Sequence, residues 1–520
     1  MKHRLVYILA AALAALAIAG CGSSSSGDSS GAETASVAPA GSPLFVEVAV
    51  SPEGQLKSNI ETLVEDVAGI DDLGGLIVDE LEEQASDSDE PVDFATEIEP
   101  WLGERAGIFF QSYDGDDFHG YGVAVQTTDA DAAQEFIAKQ AKSEDGPAED
   151  GSYEGVDFKV ELDDDQTVGM IDDLLVFAED EKTFKAAVDA SDGDALSGSD
   201  TYTEAIAGVP GGSFADVYAD VGGLIEQAGG TVDPQALQFL DTAGIDPTEM
   251  TVTASLIPGS DQIELDVSSD LGGATAPSGD VSELLGSLPQ NSFAAIASAG
   301  FGKQLQEGID SLDASGIPGE IPPNKLKSTL AAAGIDLDEI TGSLQDAALF
   351  AEGANKSSLG GALVFTTEGN EASNTVANIG TFLRAARVPG VTAIKGDTSG
   401  FSVRSPDLGR QPLVVAAKGD RIAISYGAQA AALALGAEKA KTLADSDSYK
   451  AAVSALGSTP ISGFADGAAT LKLVESLISP DDKAEFAEAK PYLKKARFLA
   501  IGTGSSDGRA TAKLILGFNE

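Results

Sequence analysis

The chain reads as an α+β protein built from two tandem copies of one domain, each a mainly antiparallel curved sheet packed by amphipathic helices. Three observations predict this: a long internal repeat, turn signatures that join short strands into hairpins, and amphipathic helical segments set between the strands. The repeat length is roughly 240 residues. That is far longer than solenoid or propeller periods and reads as copying of a whole domain. The expected organisation is a signal segment over residues 1–20, a tether over 21–35, a first α+β repeat over 36–272 and a second over 273–520.

The repeat can be followed element by element. Phe45 followed by Leu56, Ile60 and Leu63 returns as Phe293 followed by Leu305, Ile309 and Leu312. The strand 122–128 ends in Thr127-Thr128 and leads into a helix; the strand 361–367 ends in Thr366-Thr367 and does the same. Leu196, Ser199-Asp200 and Tyr202 recur as Leu443, Ser446-Asp447 and Tyr449. A proline followed four residues later by phenylalanine occurs at Pro210/Phe214, Pro289/Phe293 and Pro460/Phe464, with a looser form at Ser42-Pro43-Leu44-Phe45. Proline fixes φ and cannot donate to a ladder, so it suits the position just before a strand. Each half therefore reads as holding two related strand-helix units.

Hairpins are expected where Asp172-Asp173 joins 168–171 to 174–178, and where Lys418-Gly419-Asp420 joins 412–417 to 421–425. Two more are expected at Pro258-Gly259-Ser260 and at Ser505-Ser506-Asp507-Gly508. Asp233-Pro234 and Ser479-Pro480 place a capping side chain before a proline at the first helical position. These signals predict helices on one side of each sheet.

The segment S-V-A-P-A-G-S-P-L-F-V-E-V-A-V-S-P-E-G-Q over 36–55, with the later L-P-x-x-S-F and S-D-x-Y elements, resembles DUF3352, a family of bacterial envelope proteins of unknown function. The resemblance would cover most of the chain. It implies a place in the cell envelope and brings no catalytic residues.

Lys2 and Arg4, the apolar run 5–18 and the small residues Ala19 and Gly20 follow the secretory pattern. They lead to Cys21, the one cysteine of the chain. The order resembles a bacterial lipoprotein signal, which implies cleavage before Cys21, lipidation of its thiol and attachment to the membrane through acyl chains. The apolar run is shorter than the ~20 residues that span a bilayer. With one cysteine, no disulfide can form within the chain. The Ser-, Gly- and acid-rich stretch up to Ala35 then reads as a flexible tether.

Formal net charge is -53, and loss of Lys2 and Arg4 with the signal takes it to -55. Such a chain is repelled by phosphate backbones and anionic head groups, which argues against nucleic acid as a partner and leaves the anchoring to acyl chains. Solubility or adaptation to a salty exterior accounts for the acidity without a specific site. Disorder does not, because 43% of residues are hydrophobic and fall into periodic segments.

Chemistry-bearing residues are sparse. After the signal, His119 is the sole histidine, which rules out a multi-histidine zinc site and leaves any Ser-His-Asp triad dependent on this one loop residue. The G-x-S-x-G matches at 27–31 and 504–508 lie in the tether and in an expected hairpin turn, not on the strand-to-helix elbow that a nucleophile needs. Gly300-Phe301-Gly302-Lys303 lacks the remaining features of a phosphate loop. The acidic runs 87–90, 114–117 and 163–165 offer oxygen ligands, and Asp114, Asp116 and Asp117, flanking Gly115, are the weak calcium candidates among them. Trp101 reads as core. No cofactor is expected. The function expected is that of a non-catalytic surface lipoprotein that binds an envelope partner or organises the envelope. The alternatives are a carrier of a lipid or small molecule and, last, a hydrolase using carboxylates.

Overall fold

The computed structural model describes residues 34–69, 94–143, 148–161, 166–229, 245–273, 279–316, 322–332, 336–369, 371–385, 387–394, 398–406, 411–436, 441–479 and 482–519. Residues 1–33 with Cys21, the acidic runs 87–90 and 163–165 and the Asp233-Pro234 cap lie outside them, as does Pro480. The chain forms two compact units, Met1–Ala276 with Ser506–Thr511 and Pro277–Ser505 with Ala512–Asn519. Both are α+β.

The first unit runs β1 (Leu44–Ala49), α1 (Gly54–Ala68), α2 (Phe94–Glu97), β2 (Leu102–Tyr113), β3 (Phe118–Thr127), α3 (Ala130–Ser143), β4 (Ala148–Tyr153), β5 (Val156–Glu161), β6 (Thr167–Ile171) and β7 (Leu174–Ala178). It continues through α4 (Glu181–Ser191), α5 (Asp200–Ile206), β8 (Ala215–Asp220), α6 (Val221–Gln227), β9 (Thr251–Pro258) and β10 (Gln262–Ser269). Antiparallel pairing places the strands in the order β4-β5-β6-β7-β3-β2-β1-β8-β9-β10.

The second unit runs α7 (Ser282–Gly286), β11 (Ser292–Ser298), α8 (Phe301–Ser315), α9 (Leu326–Ala332), α10 (Leu337–Ser343), β12 (Leu344–Glu352), β13 (Gly360–Thr367), α11 (Glu371–Ala385), β14 (Val391–Ala393), β15 (Ser399–Val403), β16 (Leu413–Lys418) and β17 (Arg421–Tyr426). It ends with α12 (Ala428–Ala434), α13 (Asp447–Leu456), β18 (Ile461–Asp466), α14 (Gly467–Leu477), α15 (Lys483–Leu493), β19 (Ala496–Ser506) and β20 (Arg509–Phe518), the last two apart from Ser506 and Arg509–Thr511, which count with the first unit. Its strands are ordered β14-β15-β16-β17-β13-β12-β11-β18-β19-β20. The strands of the two units thus follow one pairing scheme.

The expectation of helices on one side of each sheet is corrected: packed clusters lie on both faces. In the first unit Val123, Val125, Leu175 and Phe177 point to a cluster with Trp101 and Phe136, while Ala124, Leu174, Val176 and Ala178 point to one with Phe184, Leu196 and Tyr202. All five residues of β7 are buried. A strand covered on both faces reads as a continuous apolar run and loses the alternation that a one-sided layer would show. The second unit repeats this, with Ala348, Phe350, Val364 and Ala423 on one core and Ala347, Phe365 and Ile422 on the other.

Register also moves three of the sequence matches. Phe45 lies opposite Phe109 and Tyr218, whereas Ala295 lies opposite Phe350 and Phe464. Phe45 therefore corresponds to Ala295, not Phe293, and Phe464 to Tyr218, not Phe214. Likewise Thr127 donates its hydroxyl to Asp173 O (2.9 Å) and Thr367 donates to Asp420 O (3.2 Å), so these two threonines are the matched pair. The recurring Leu196 and Leu443 each begin a 3₁₀ turn, and Tyr202 and Tyr449 are both buried. Burial pushes the Tyr449 hydroxyl up to about 12. Asp220 and Asp466 close β8 and β18 and cap the helices that follow, accepting from Gly223 N (2.9 Å) and Ala469 N (2.8 Å).

Candidate functional site

Asp114, Asp116 and Asp117 sit at the exposed tip of the β2–β3 hairpin. Asp114 Oδ1 accepts from Asp116 N (3.0 Å) and Asp117 N (2.9 Å), and Asp114 Oδ2 lies 3.0 Å from His119 Nε2. The backbone donation from Asp117, with the contact to His119, holds the Asp114 carboxyl well below the usual carboxylate range. The same contact raises the His119 imidazole above its ordinary value. These bonds build a turn around one carboxylate. Among the described residues no group of three or more His, Cys, Asp or Glu is arranged to hold a metal ion. Trp101 is buried at 2% exposure, stacks at a tilt on Phe136 (5.6 Å) and donates its indole N–H to Glu97 O (2.6 Å), so it is core. Ser506 ends β19 and Asp507 begins the turn to β20, which places the second G-x-S-x-G match in a hairpin.

A charged cluster in the first unit was missed at the sequence level. Arg105 keeps unbroken register with β1, opposite Ala49, so it shares the face of Gly107 and Phe109 and points inward by ordinary strand alternation. Its guanidinium lies 3.3 Å from Glu47 and 3.4 Å from Asp216, which face each other on β1 and β8, and it donates to Ser213 O at 2.9 Å. Thr34 donates to Glu47 Oε1 at 2.5 Å, and the Ser213 hydroxyl donates to Asp216. Two carboxylates therefore do converge, but on a guanidinium that pairs with both. This is the arrangement of a buried ion network. Apart from the local Ser213–Asp216 pair, its contacts join residues 13 to 111 apart in sequence, and no local spacing announces the three charged groups.

The second unit carries an open apolar face. Ile296 on β11 lies directly opposite Leu349 on β12, and Leu349 opposite Leu363 on β13, which pairs with Ile424 on β17. Leu363 and Ile424 pack at the margin of the cluster under α11. Ile296 and Leu349 continue the same aliphatic row and are 52% and 49% exposed, although both lie on interior strands of the sheet. α8 packs along β12, and its apolar residues Leu305 and Ile309 are half-buried while Leu312 is exposed. Aliphatic side chains left open at the middle of a sheet are what a partner or an apolar ligand covers.

The sequence model of a family described as "Protein of unknown function (DUF3352)" matches residues 5–516. Comparison with curated proteins gives no match. Among solved structures, one titled "Structure of crystal form I of TP0453" is similar at 12% identity and a TM-score of 0.25, covering 46% of this chain and 80% of that one. A likeness of that degree carries no argument about this chain. No helix among the described residues is long and apolar enough to cross a membrane.

Proposed function

The chain belongs to the DUF3352 family, and from that premise we propose that it is an extracytoplasmic lipoprotein, held at the membrane by acyl chains on Cys21, whose work is non-catalytic binding of an envelope partner. The exposed Ile296–Leu349 pair carries this reading. Leaving two large aliphatic side chains half exposed on interior strands forgoes about half of the burial energy of each, roughly 1 kcal/mol apiece. An occupant that covers them recovers it. The signal order of residues 1–20 and the position of Cys21 support the anchor.

A second reading, carriage of a lipid or other apolar small molecule, is favoured by the continuity of the row from Ile296 through Leu349 and Leu363 to Ile424. One experiment separates the two. A photo-crosslinking residue is placed at Leu349 in the full chain in its own envelope, and the adduct is weighed. A reproducible protein adduct supports partner binding, and a lipid-sized adduct supports the carrier. No adduct at Leu349 or at Ile296 overturns both.

A further inference from the structure

The densest run of cations in this acidic chain coincides with an exposed apolar surface. Lys490, Lys494, Lys495 and Arg497 are four of its 31 basic residues and fall within one eight-residue stretch. No carboxylate occurs from 489 to 506, in a chain where 84 of 520 residues carry one. On the same helix end Tyr492 and Leu493 are 51% and 43% exposed, and α14 adds Val474 and Leu477 at 40% and 52%. α15 has no buried residue, and Lys490 ties it to α14 through Glu475 at 2.8 Å. The backbone beneath the lysines is fixed. Asn519 donates its side-chain amide to Lys494 O and Lys495 O and its backbone N–H to Lys495 O at 2.8 Å.

Lysines at a helix C-terminus complement its dipole, but the dipole gives no reason for Tyr492, Leu493, Val474 and Leu477 to face water together. We propose that the α14–α15 patch docks onto an anionic lipid surface. The tyrosine and leucine would enter the head-group boundary while the ammonium groups meet lipid phosphates. Charge complementarity selects this occupant: the acidic chain as a whole repels anionic lipid, whereas here the carboxylate-free stretch 489–506 sets Lys494, Lys495 and Arg497 beside exposed Tyr492 and Leu493, with Lys490 already paired to Glu475. The contact does not require the acyl anchor. It would set which side of the second unit faces the membrane.

The test uses the chain from Gly22 onward, which retains every described residue and carries no acyl group when Cys21 is absent. It is sedimented with vesicles of phosphatidylglycerol and phosphatidylcholine in equal parts, and with phosphatidylcholine alone. Binding is expected to the anionic vesicles only and to weaken with added salt. The double variant Lys494→Glu/Lys495→Glu should lower it about tenfold or more, at ~1 kcal/mol per cation. Tyr492→Ser/Leu493→Ser should also lower it, and Lys303→Glu, on exposed α8, should not. All substituted positions are on the surface, and unchanged thermal unfolding of each variant confirms the fold. Absence of binding to anionic vesicles, or binding that the patch variants leave unchanged, overturns the proposal without touching the acyl anchor, which this chain lacks.

Discussion

Glu47 in the first unit and Ala297 in the second occupy one register position, opposite Gly107 and Ala348 respectively. Around them the filling is exchanged. Ala38 accepts from Leu196 N as Leu288 accepts from Leu443 N, so counting back places Thr34 where Leu284 stands. Phe45 corresponds to Ala295 and Asp216 to Ser462. A Cβ on Gly107 would lie 2.8 Å from the Thr34 side chain and 2.9 Å from the Phe45 ring, whereas Ala348, in the same position, carries a Cβ in a cluster where Ala295 stands in place of Phe45. Volume removed at one position returns at its neighbour. One strand order thus tolerates a polar core end in one unit and an apolar one in the other, provided the sum fills the space.

The bulge in β2 and its partner in β12 sharpen this contrast. Arg105 N donates to Gln126 Oε1 at 3.0 Å, and Asp346 N donates to Thr366 Oγ1 at 3.0 Å, so the backbone device is shared. The side chains diverge. Arg105 enters the core, while Asp346 accepts from Gly300 N at 2.9 Å, just before α8. The largest effect should follow from removing the cation. Arg105→Met is expected to destabilise the first unit by about 3–5 kcal/mol, because Glu47 and Asp216 are left without it. Adding Thr34→Leu, Glu47→Ala and Asp216→Ser, the residues of the second unit, should recover most of that loss in denaturant unfolding. If the quadruple variant is no more stable than Arg105→Met, the equivalence of the two core ends is broken.

Much of this pairing was legible from sequence where function and geometry are local. Leu196, Ser199, Asp200 and Tyr202 build a turn and a helix start within seven residues, and they recur at the same spacing as Leu443 to Tyr449. The strand anchors were misaligned because their types change when volume passes across a sheet, as in Tyr218 against Phe464 and Phe45 against Ala295. The ion network stayed hidden because strand pairing alone brings Arg105, Glu47 and Asp216 together from β2, β1 and β8. The open face stayed hidden because Ile296 and Leu349 have the sequence of buried strand residues, and only the packing leaves them exposed.

Helices α1 and α8 give an intermediate test. Leu56, Ile60 and Leu63 have the spacing of Leu305, Ile309 and Leu312. In α1, which packs on β9 and donates Asn59 Nδ2 to Pro258 O (2.9 Å), Ile60 and Leu63 are buried at 6% and 8%. In α8 the matching face is half-open, and Leu312 is 42% exposed. Ile60→Ala should therefore cost about 2–4 kcal/mol and Ile309→Ala about 1 kcal/mol or less in thermal unfolding. Equal costs would mean that α8 is covered in solution, which would itself reveal an occupant.

The hairpin tips should differ least in stability and most clearly in response to pH. Asn355 Oδ1 accepts from Ser357 N (3.0 Å) and Ser358 N (3.1 Å) between β12 and β13, the same bonds that Asp114 accepts between β2 and β3. One tip is closed by an amide, the other by a carboxylate facing His119. The His119 pKa is raised above 6.5 by the Asp114 contact, so its stabilisation is complete below that value and is lost as pH rises through the higher folded pKa. Asp114 is lowered from 3.8 by the Asp117 backbone and His119, so its stabilisation is complete above 3.8 and is lost as pH falls through the lower folded pKa. Titration of the His119 ring by NMR should give a midpoint above 6.5, and Asp114→Asn, which copies the second tip and keeps its turn bonds, should bring that midpoint back toward 6.5. The amides of Asn355 to Ser358 should stay constant over the same range. A His119 midpoint that Asp114→Asn leaves in place would show that the imidazole answers to the surrounding acidity rather than to this one carboxylate.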